Sequence, residues 1–226
     1  MVTVTINQAL HLPYLGIFER MAKSDVFVFL DDVQFVKNDF YNRNRIKTEQ
    51  GWQWITVPVK YRFPQIQNEV EIDNMKNWRE KNWRSIESSY EQAPFFSEYK
   101  DSFRDVYQEQ KNIISDYNVD LTLYLAEKLG IKAKLVRSSE LGVPKGIGAT
   151  ERLVEICKLF GATTYFSGKG GHNYLKEDKF SEANMQVIYQ DFQHPTYPQL
   201  YGDFIPGLSI IDLLFNIGPK SIDFIV

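Results

Sequence analysis

The strongest constraint on the fold is residues 26–30 (VFVFL), an unbroken apolar run that stops abruptly at Asp31 and Asp32. A short apolar run of this kind is typical of a strand buried on both faces, as in a parallel sheet. Another strand pattern occupies residues 2–6, and residues 15–23 between the two carry apolar side chains at helical spacing. The first thirty residues therefore predict one β-α-β unit.

The same alternation of strands and helices returns in the second half of the chain. Strands are predicted at residues 134–137, 163–166 and 186–190, and helices at 150–160 and 209–216. Between the halves lie strand patterns at 52–59 and 69–72 and a mostly helical stretch over 77–129. We therefore expect a single α/β domain over residues 1–226. It has a mostly parallel, Rossmann-like sheet, flanking helices and a helical subdomain around residues 77–129.

Composition excludes several classes of function. Lys and Arg total 26 against 29 Asp and Glu, whereas proteins that bind polymeric nucleic acid usually carry a basic excess. A local basic pocket for one nucleotide remains compatible with this balance. The single cysteine, Cys157, excludes an intramolecular disulfide, and no stretch has the ligand spacing of a structural zinc site. No signal-peptide pattern or long apolar run occurs, so we expect a cytoplasmic protein without membrane insertion.

Ligands of open parallel sheets bind at the carboxyl ends of the strands, so the polar loops that follow strands hold the candidate residues. Residues 8–16 (QALHLPYLG) lead into the first helix and offer Gln8 and Tyr14. Asp31 and Asp32 follow the apolar run, and paired carboxylates there can hold Mg²⁺ with a nucleotide or act as a base. The alternative is that one carboxylate caps a turn and the other faces solvent.

Two further stretches are rich in groups that bind phosphate. Residues 42–47 (NRNRIK) place three cations and two amides together, close to Trp54, and guanidinium groups match phosphate oxygens. Residues 167–174 (SGKGGHNY) combine Lys169 with glycines that let backbone N–H groups approach an anion, although they lack P-loop spacing. The alternatives are a solvated charged face and a flexible connector. The candidate substrate-binding residues here are Asn42, Arg43, Asn44, Arg45, Lys47, Trp54, Ser167, Gly168, Lys169, Gly170, Asn173 and Tyr174.

The last candidate stretch is residues 190–199 (QDFQHPTYPQ), which two prolines stiffen. Asp191 and Tyr197 are candidate substrate-binding residues, and His194 is a candidate general base. A turn histidine that only hydrogen-bonds the backbone fits the pattern equally well. The predicted catalytic residues are therefore Asp31, Asp32 and His194.

Seven stretches, in the same order over nearly the whole chain, resemble the WbqC-like family. They are residues 8–16, 23–34, 42–47, 54–59, 165–168, 190–197 and 208–216. Ala9 departs from the family pattern, which usually has proline after the glutamine. The family is associated with gene clusters for O-antigen and other bacterial surface polysaccharides.

The resemblance implies an enzyme that transfers an acyl or aminoacyl group, such as glycyl, to the amine of a nucleotide-linked amino sugar. In this hypothesis the glycine loop with Arg43 and Arg45 binds the diphosphate, and Trp54 or Tyr197 stacks on the base or sugar. Asp31 or His194 deprotonates the amine. The expected partner is a sugar nucleotide or another phosphorylated small molecule, and the oligomeric state is not predicted.

Two alternatives to the transferase stay open at this stage. The first is an ATP-dependent ligase or nucleotidyltransferase, in which a nucleoside triphosphate is consumed. The second is a non-catalytic binding or assembly protein of the same pathway. That second alternative predicts that Asp31, Arg43 and His194 do not converge on one cleft.

Overall fold

The computed structural model describes residues 1–226, which form nine strands and seven α-helices. The strands are β1 (Thr3–Asn7), β2 (Val26–Phe29), β3 (Arg43–Thr48), β4 (Gly51–Thr56), β5 (Val59–Lys60), β6 (Glu71–Ile72), β7 (Lys134–Arg137), β8 (Thr164–Ser167) and β9 (Gln186–Tyr189). The helices are α1 (Leu15–Ala22), α2 (Trp78–Tyr90), α3 (Phe96–Gln108), α4 (Ile114–Lys128), α5 (Ala149–Leu159), α6 (Glu177–Glu182) and α7 (Ile210–Ile217).

Five of the strands form one parallel sheet in the order β7-β2-β1-β8-β9. From the central β1, the chain first builds one side of the sheet and then the other, so the order reverses between β1 and β8. β1 pairs with β2 at four positions but with β8 only at Thr3–Thr164 and Val4–Tyr165. The two strands therefore diverge towards their carboxyl ends and leave a crevice where such sheets bind ligands. The predicted Rossmann-like α/β fold is confirmed.

Both faces of the sheet are covered, which explains why β2 is apolar throughout. Phe27 and Phe29 belong to a cluster of 38 buried residues that also contains residues from α1–α4 and α7. Val26 and Val28 point to the other face, into a cluster of 11 buried residues that includes the apolar face of α5. Alternate side chains of one strand thus enter two separate cores. The single-domain organisation with a helical subdomain stays a prediction.

Residues 43–48 differ from the sequence-based expectation, which placed them in a loop beside the parallel sheet. They form β3, which pairs antiparallel with β4 at six positions from Arg43–Thr56 to Thr48–Gly51. The polar strand is held by specific side-chain hydrogen bonds. Asn42 Nδ2 donates to the Val57 carbonyl (2.9 Å), and Asn44 Nδ2 donates to the Leu12 carbonyl (2.6 Å). This hairpin therefore braces the loop between β1 and α1, where Leu12 has a φ of 43°.

His11 lies in that braced loop and belongs to the core. Its side chain is completely buried, its ring stacks on Tyr117 with 5.9 Å between ring centroids, and Nδ1 lies 3.3 Å from Asn118 Oδ1. Burial lowers the pKa of His11 from 6.5 to about 4, against a smaller opposing effect of Asn118. The native protein therefore contains the neutral imidazole at physiological pH.

We expect this burial to make the fold sensitive to acid. The neutral His11 stabilises the native state fully above pH 6.5, and this stabilisation is lost as the pH falls from 6.5 towards 4. The loss is about 1.4 kcal/mol per pH unit, or roughly 3 kcal/mol in all. Urea unfolding at pH 7.5 and pH 4.5 measures it. The His11→Gln variant should lose less stability between these two pH values than the wild type, and an equal loss would contradict this assignment.

Candidate functional site

Two adjoining cavities open at the crevice between β1 and β8. The first has a volume of about 370 Å³ and is lined by residues that include Gln8, Arg20, Arg152, Ser167 and Tyr174. The second has a volume of about 600 Å³, and its lining includes Tyr14, Lys169, Gln190, Phe192 and His194. Four residues line both cavities: Asn7, Arg20, Gly168 and Gly170. The cavities therefore meet at the carboxyl ends of β1 and β8.

Arg20 is the principal charge at this meeting point. It reaches from α1 between the diverging strands and is only 4% exposed. Nη2 donates to Asn7 Oδ1 (2.5 Å), and Nη1 lies 3.4 Å from both Thr5 Oγ1 and the Ile6 carbonyl. Nε is buried and has no acceptor. The guanidinium thus occupies the gap that the missing strand pairing leaves.

No carboxylate forms a salt bridge with Arg20. The neighbouring Glu19 pairs with Lys23 instead, at 2.6 Å. Burial is the main cause that lowers the pKa of Arg20, and nearby tyrosine hydroxyls and, as the smallest effect, the Glu19 carboxylate act in the opposite direction. A buried cation without a counterion is costly because it loses its hydration. The arrangement is therefore complementary to an anionic ligand.

Asp31 and Asp32 act on this site indirectly, since neither lines a cavity. Asp32 Oδ2 accepts from Arg152 Nη2 (2.6 Å), and its Oδ1 accepts from Ser138 Oγ (2.5 Å). Burial acts to raise the pKa of Asp32, but these hydrogen bonds outweigh it and hold the pKa below its ordinary value. Asp31 is completely buried and accepts from Ser139 N (3.0 Å) and Ser139 Oγ (2.8 Å). The pair orients Arg152 and the turn after β7.

His194 lies at the wall of the second cavity with both ring nitrogens engaged. Nδ1 lies 2.9 Å from the Pro195 carbonyl, and Nε2 accepts from the Gly207 N–H at 3.0 Å. This geometry assigns the proton to Nδ1. Arg45 Nη2 donates to the Gly207 carbonyl (3.0 Å), and Gly207 has a φ of 69°. His194 and Arg45 thus hold one wall of the cavity in place.

The glycine loop after β8 lies directly against Arg20. A Cβ atom added to Gly168 would lie 3.4 Å from Arg20 Cζ, and one added to Gly171 would lie 2.2 Å from Ser167 Oγ. The N–H of Gly171 donates to the Gly168 carbonyl at 2.9 Å, at the start of the short 3-10 helix Lys169–Asn173. Because glycine has no side chain, a ligand can approach this backbone closely.

The other predicted residues lie outside both cavities. Arg43 stacks over Trp54, with its Cζ atom 4.2 Å from the ring centroid, on the surface of the β3–β4 hairpin. Lys47 is 1% exposed and donates to Gln199 Oε1 (3.1 Å). Tyr197 donates to Asp212, and Asp191 accepts from Gln193. The predicted residues that line neither cavity are Asp31, Asp32, Asn42, Arg43, Asn44, Arg45, Lys47, Trp54, Asn173, Asp191 and Tyr197. The predicted residues that line one or both cavities are Gln8, Tyr14, Ser167, Gly168, Lys169, Gly170, Tyr174 and His194.

No group of three or more His, Cys, Asp or Glu side chains is arranged to hold a metal ion. None of the helices combines the length and the apolar character needed to cross a bilayer. Cys157 is buried, which raises the pKa of its thiol to about 12. It lies in the core that contains the face of α5, so it does not contribute to the crevice.

The profile of the WbqC-like protein family matches residues 8–224. The chain belongs to this family. It is also similar to the uncharacterized protein Rv1507c of Mycobacterium tuberculosis, with 39% identity over 226 residues, covering 98% of this chain and 96% of that protein. No solved structure matches the chain. Membership of the WbqC-like family indicates a protein associated with surface-polysaccharide gene clusters.

The cavity-lining residues that the sequence did not predict include both arginines of the site, Arg20 and Arg152. Both lie in segments whose apolar spacing predicts a helix, and that spacing does not indicate a role for the charged residues. Arg20 follows Gly16 by four positions and Ile17 by three, so helical periodicity puts it on the face that packs against the sheet. The sequence signal for Arg20 was therefore a cation on the buried face of the first helix of a β-α-β unit.

Proposed function

We propose that this WbqC-like protein is an enzyme of bacterial surface-polysaccharide biosynthesis that binds a nucleotide-linked amino sugar through its phosphates. The reaction is the transfer of an acyl or aminoacyl group to the sugar's amine. The observation that carries the proposal is the buried guanidinium of Arg20, which lines both cavities and has no carboxylate partner. Anion binding at this point also matches the position of ligands in related sheet topologies.

A phosphate group satisfies the surroundings of Arg20 better than a neutral ligand does. Its oxygens match the fork of a guanidinium, and charge-assisted hydrogen bonds of this kind are stronger than neutral ones. Gly168 and Gly170 leave the backbone open beside Arg20, and Arg152, whose charge is paired with Asp32 at 2.6 Å, also lines the first cavity. The first turn of α5 begins at Ala149, at the edge of the same cavity, and its dipole also favours an anion.

The transfer step needs an activated acyl donor such as a thioester. The amine nitrogen attacks the acyl carbon, the bond from that carbon to sulfur breaks, and the thiolate leaves with the electron pair. The amine releases one proton, which the thiolate takes up. Asp31 and both nitrogens of His194 already have hydrogen-bond partners, so in this proposal they orient the site and neither is the base.

Calorimetric titration with UDP- and dTDP-linked amino sugars tests the binding part of the proposal. Arg20→Met should weaken binding by about a hundredfold, because a hydrogen-bonded charge contributes about 1.5–3 kcal/mol. Lys169→Met is the matched control, since Lys169 lies on the exposed side of the second cavity and should change the affinity only a few-fold. Arg20→Lys retains the charge without the fork and should be intermediate. Wild-type affinity in a folded Arg20→Met variant would refute the proposal.

A non-catalytic binding protein is the second candidate function. It is favoured by one observation, that Asp31, Arg43 and His194 do not line a common cavity. Mass spectrometry of the sugar nucleotide after incubation with acyl-thioester donors separates the candidates. A product heavier by the acyl group supports the transferase, whereas an unchanged sugar nucleotide supports the binding protein. Product formation only with ATP, with release of pyrophosphate or ADP, would instead indicate a ligase or nucleotidyltransferase.

A further inference from the structure

The two cavities adjoin at Arg20, which lines both, and the side chains that line them differ in chemistry. We infer that one nucleoside diphosphate sugar spans both, with the nucleoside in the first cavity, the diphosphate at Arg20 and the sugar ring in the second. This inference rests on the proposed function and deepens it, because it assigns each part of the ligand to a place. It also identifies Phe192 as a residue that selects for the sugar.

The first cavity suits a nucleoside. Its volume is about 370 Å³, and apolar side chains from several parts of the chain contribute to its walls. Leu30 and Val33 follow β2, and Leu153 lies on α5. Tyr174 lines the same cavity and is 58% exposed, so an aromatic ring remains available to pack on a base. Binding sites for small molecules typically combine such apolar walls with a few polar groups that set orientation.

The second cavity suits a sugar ring. Tyr14 and Phe192 meet edge to face, with 6.1 Å between ring centroids, and Phe192 contacts His194 in the same manner at 5.8 Å. Aromatic faces can pack against the C–H groups of a sugar, and Asn7 and Lys169 offer polar groups to its hydroxyls. Gly16 permits this arrangement, because a Cβ atom there would lie 2.6 Å from the Tyr14 ring.

The distribution of charge distinguishes this ligand from a nucleoside triphosphate. A triphosphate on a base in the first cavity would extend past Arg20 and place its terminal phosphate in the second cavity. Lys169 is the only cation there besides Arg20, and it shares the cavity with Tyr14, Phe192 and Pro206. Arg20, in contrast, lies where the two cavities meet and where the diphosphate of a sugar nucleotide would be, whereas Arg152 lines only the first cavity and is paired with Asp32. The pattern is therefore a buried cation between the two cavities, with apolar and aromatic side chains in the walls on each side.

The second cavity is also built in advance of any ligand. Gly207 donates to His194 Nε2, and its carbonyl accepts from Arg45, so both hydrogen-bonding groups of this residue are occupied. Its positive φ of 69° favours glycine. The wall formed by Pro206 and Gly207 is thus held by side chains from two different segments. A preformed cavity reduces the cost of ordering the site when the sugar binds.

The test compares each nucleoside diphosphate with its sugar conjugate by calorimetry: UDP with UDP-N-acetylglucosamine, and dTDP with dTDP-glucose. In at least one pair, the wild type should bind the conjugate at least tenfold more tightly than the diphosphate. Phe192→Ala should remove this gain and leave diphosphate affinity within about twofold. Phe192→Leu keeps most of the side-chain volume and serves as the variant less prone to misfolding. It should remove part of the gain in affinity that the sugar provides. Val33→Ala in the first cavity is the matched control and should weaken both ligands of the pair equally.

The outcomes separate this inference from the function on which it rests. If the diphosphates bind in an Arg20-dependent manner but the sugars add nothing, the spanning ligand is wrong and the anion site stands. The same conclusion follows if folded Phe192→Ala weakens diphosphate and conjugate equally, or if ATP binds more tightly than every conjugate. If neither diphosphates nor conjugates bind the wild type, the proposed function and this inference both fail.

Discussion

The Gly218→Ala variant is expected to lose about 4 kcal/mol of folding free energy. Gly218 ends α7 with a φ of 67° and a ψ of −138°, a conformation that costs other residues about 1–3 kcal/mol. A Cβ atom there would also lie 2.3 Å from Cδ1 of the Phe95 ring. Overpacking of this kind adds about 1–3 kcal/mol. Phe95 cannot move aside easily, because its N–H donates to the Phe215 carbonyl at 3.0 Å.

Urea unfolding followed by circular dichroism measures this loss, and Gly130→Ala is its matched control. Gly130 follows α4 with a φ of 70°, but an added Cβ atom would meet nothing within 4 Å. The Gly130→Ala variant should therefore lose only the free energy that the left-handed backbone conformation costs alanine, about 1–2 kcal/mol. If the two variants lost the same free energy, contact with Phe95 would not be the cause.

A loss of similar size is expected for Asp212→Ala. The carboxylate of Asp212 is completely buried and accepts hydrogen bonds from Tyr90 (2.9 Å), Tyr197 (2.8 Å) and Gln199 (2.8 Å). Alanine would leave these three donors without their acceptor, and the buried Lys47 would lose a nearby negative charge. Leaving buried hydrogen-bond donors and a buried cation without their partner costs several kcal/mol. We therefore expect the free energy of unfolding to fall by about 4 kcal/mol.

The same unfolding measurement applies to Asp212→Ala, with two comparison variants. Asp212→Asn retains one oxygen acceptor and should lose about half as much free energy. Asp101→Ala removes an exposed carboxylate of α3 that forms no salt bridge, and it should change stability by at most about 0.5 kcal/mol. A small effect of Asp212→Ala would mean that the tyrosine hydroxyls find other acceptors.

The parallel sheet was predictable because its strands carry local signals. The strands predicted at 26–30 and 134–137 correspond to β2 and β7 within one residue. An apolar run that stops at Asp31 defines β2, and the regular alternation of strands and helices places β7. The strand β3 was missed for the opposite reason. Its sequence, RNRIKT, has no apolar alternation, and it becomes a strand through pairing with β4 and through the bonds that Asn42 and Asn44 make to distant carbonyls. Such contacts are not encoded in neighbouring residues.

The candidate site was predictable to a similar extent. Gln8, Tyr14, His194 and the glycine loop were singled out because loops after parallel strands meet at one edge, and the structure places them around the crevice. Arg20 was not predicted as a site residue, because a cation in an amphipathic helix is usually exposed to solvent. Its burial depends on the divergence of β1 from β8, which is a property of the assembled sheet.

That divergence also has a mechanical consequence. With only two residue pairs between β1 and β8, the sheet consists of a three-stranded and a two-stranded part joined along a weak seam. Asn7 and Arg20 lie on one side of the seam, and Gly168 and Gly170 lie on the other. A ligand that contacts both sides acts as a cross-link between the two parts. Occupancy of the crevice would therefore tie the three-stranded part to the two-stranded part and stiffen the whole sheet.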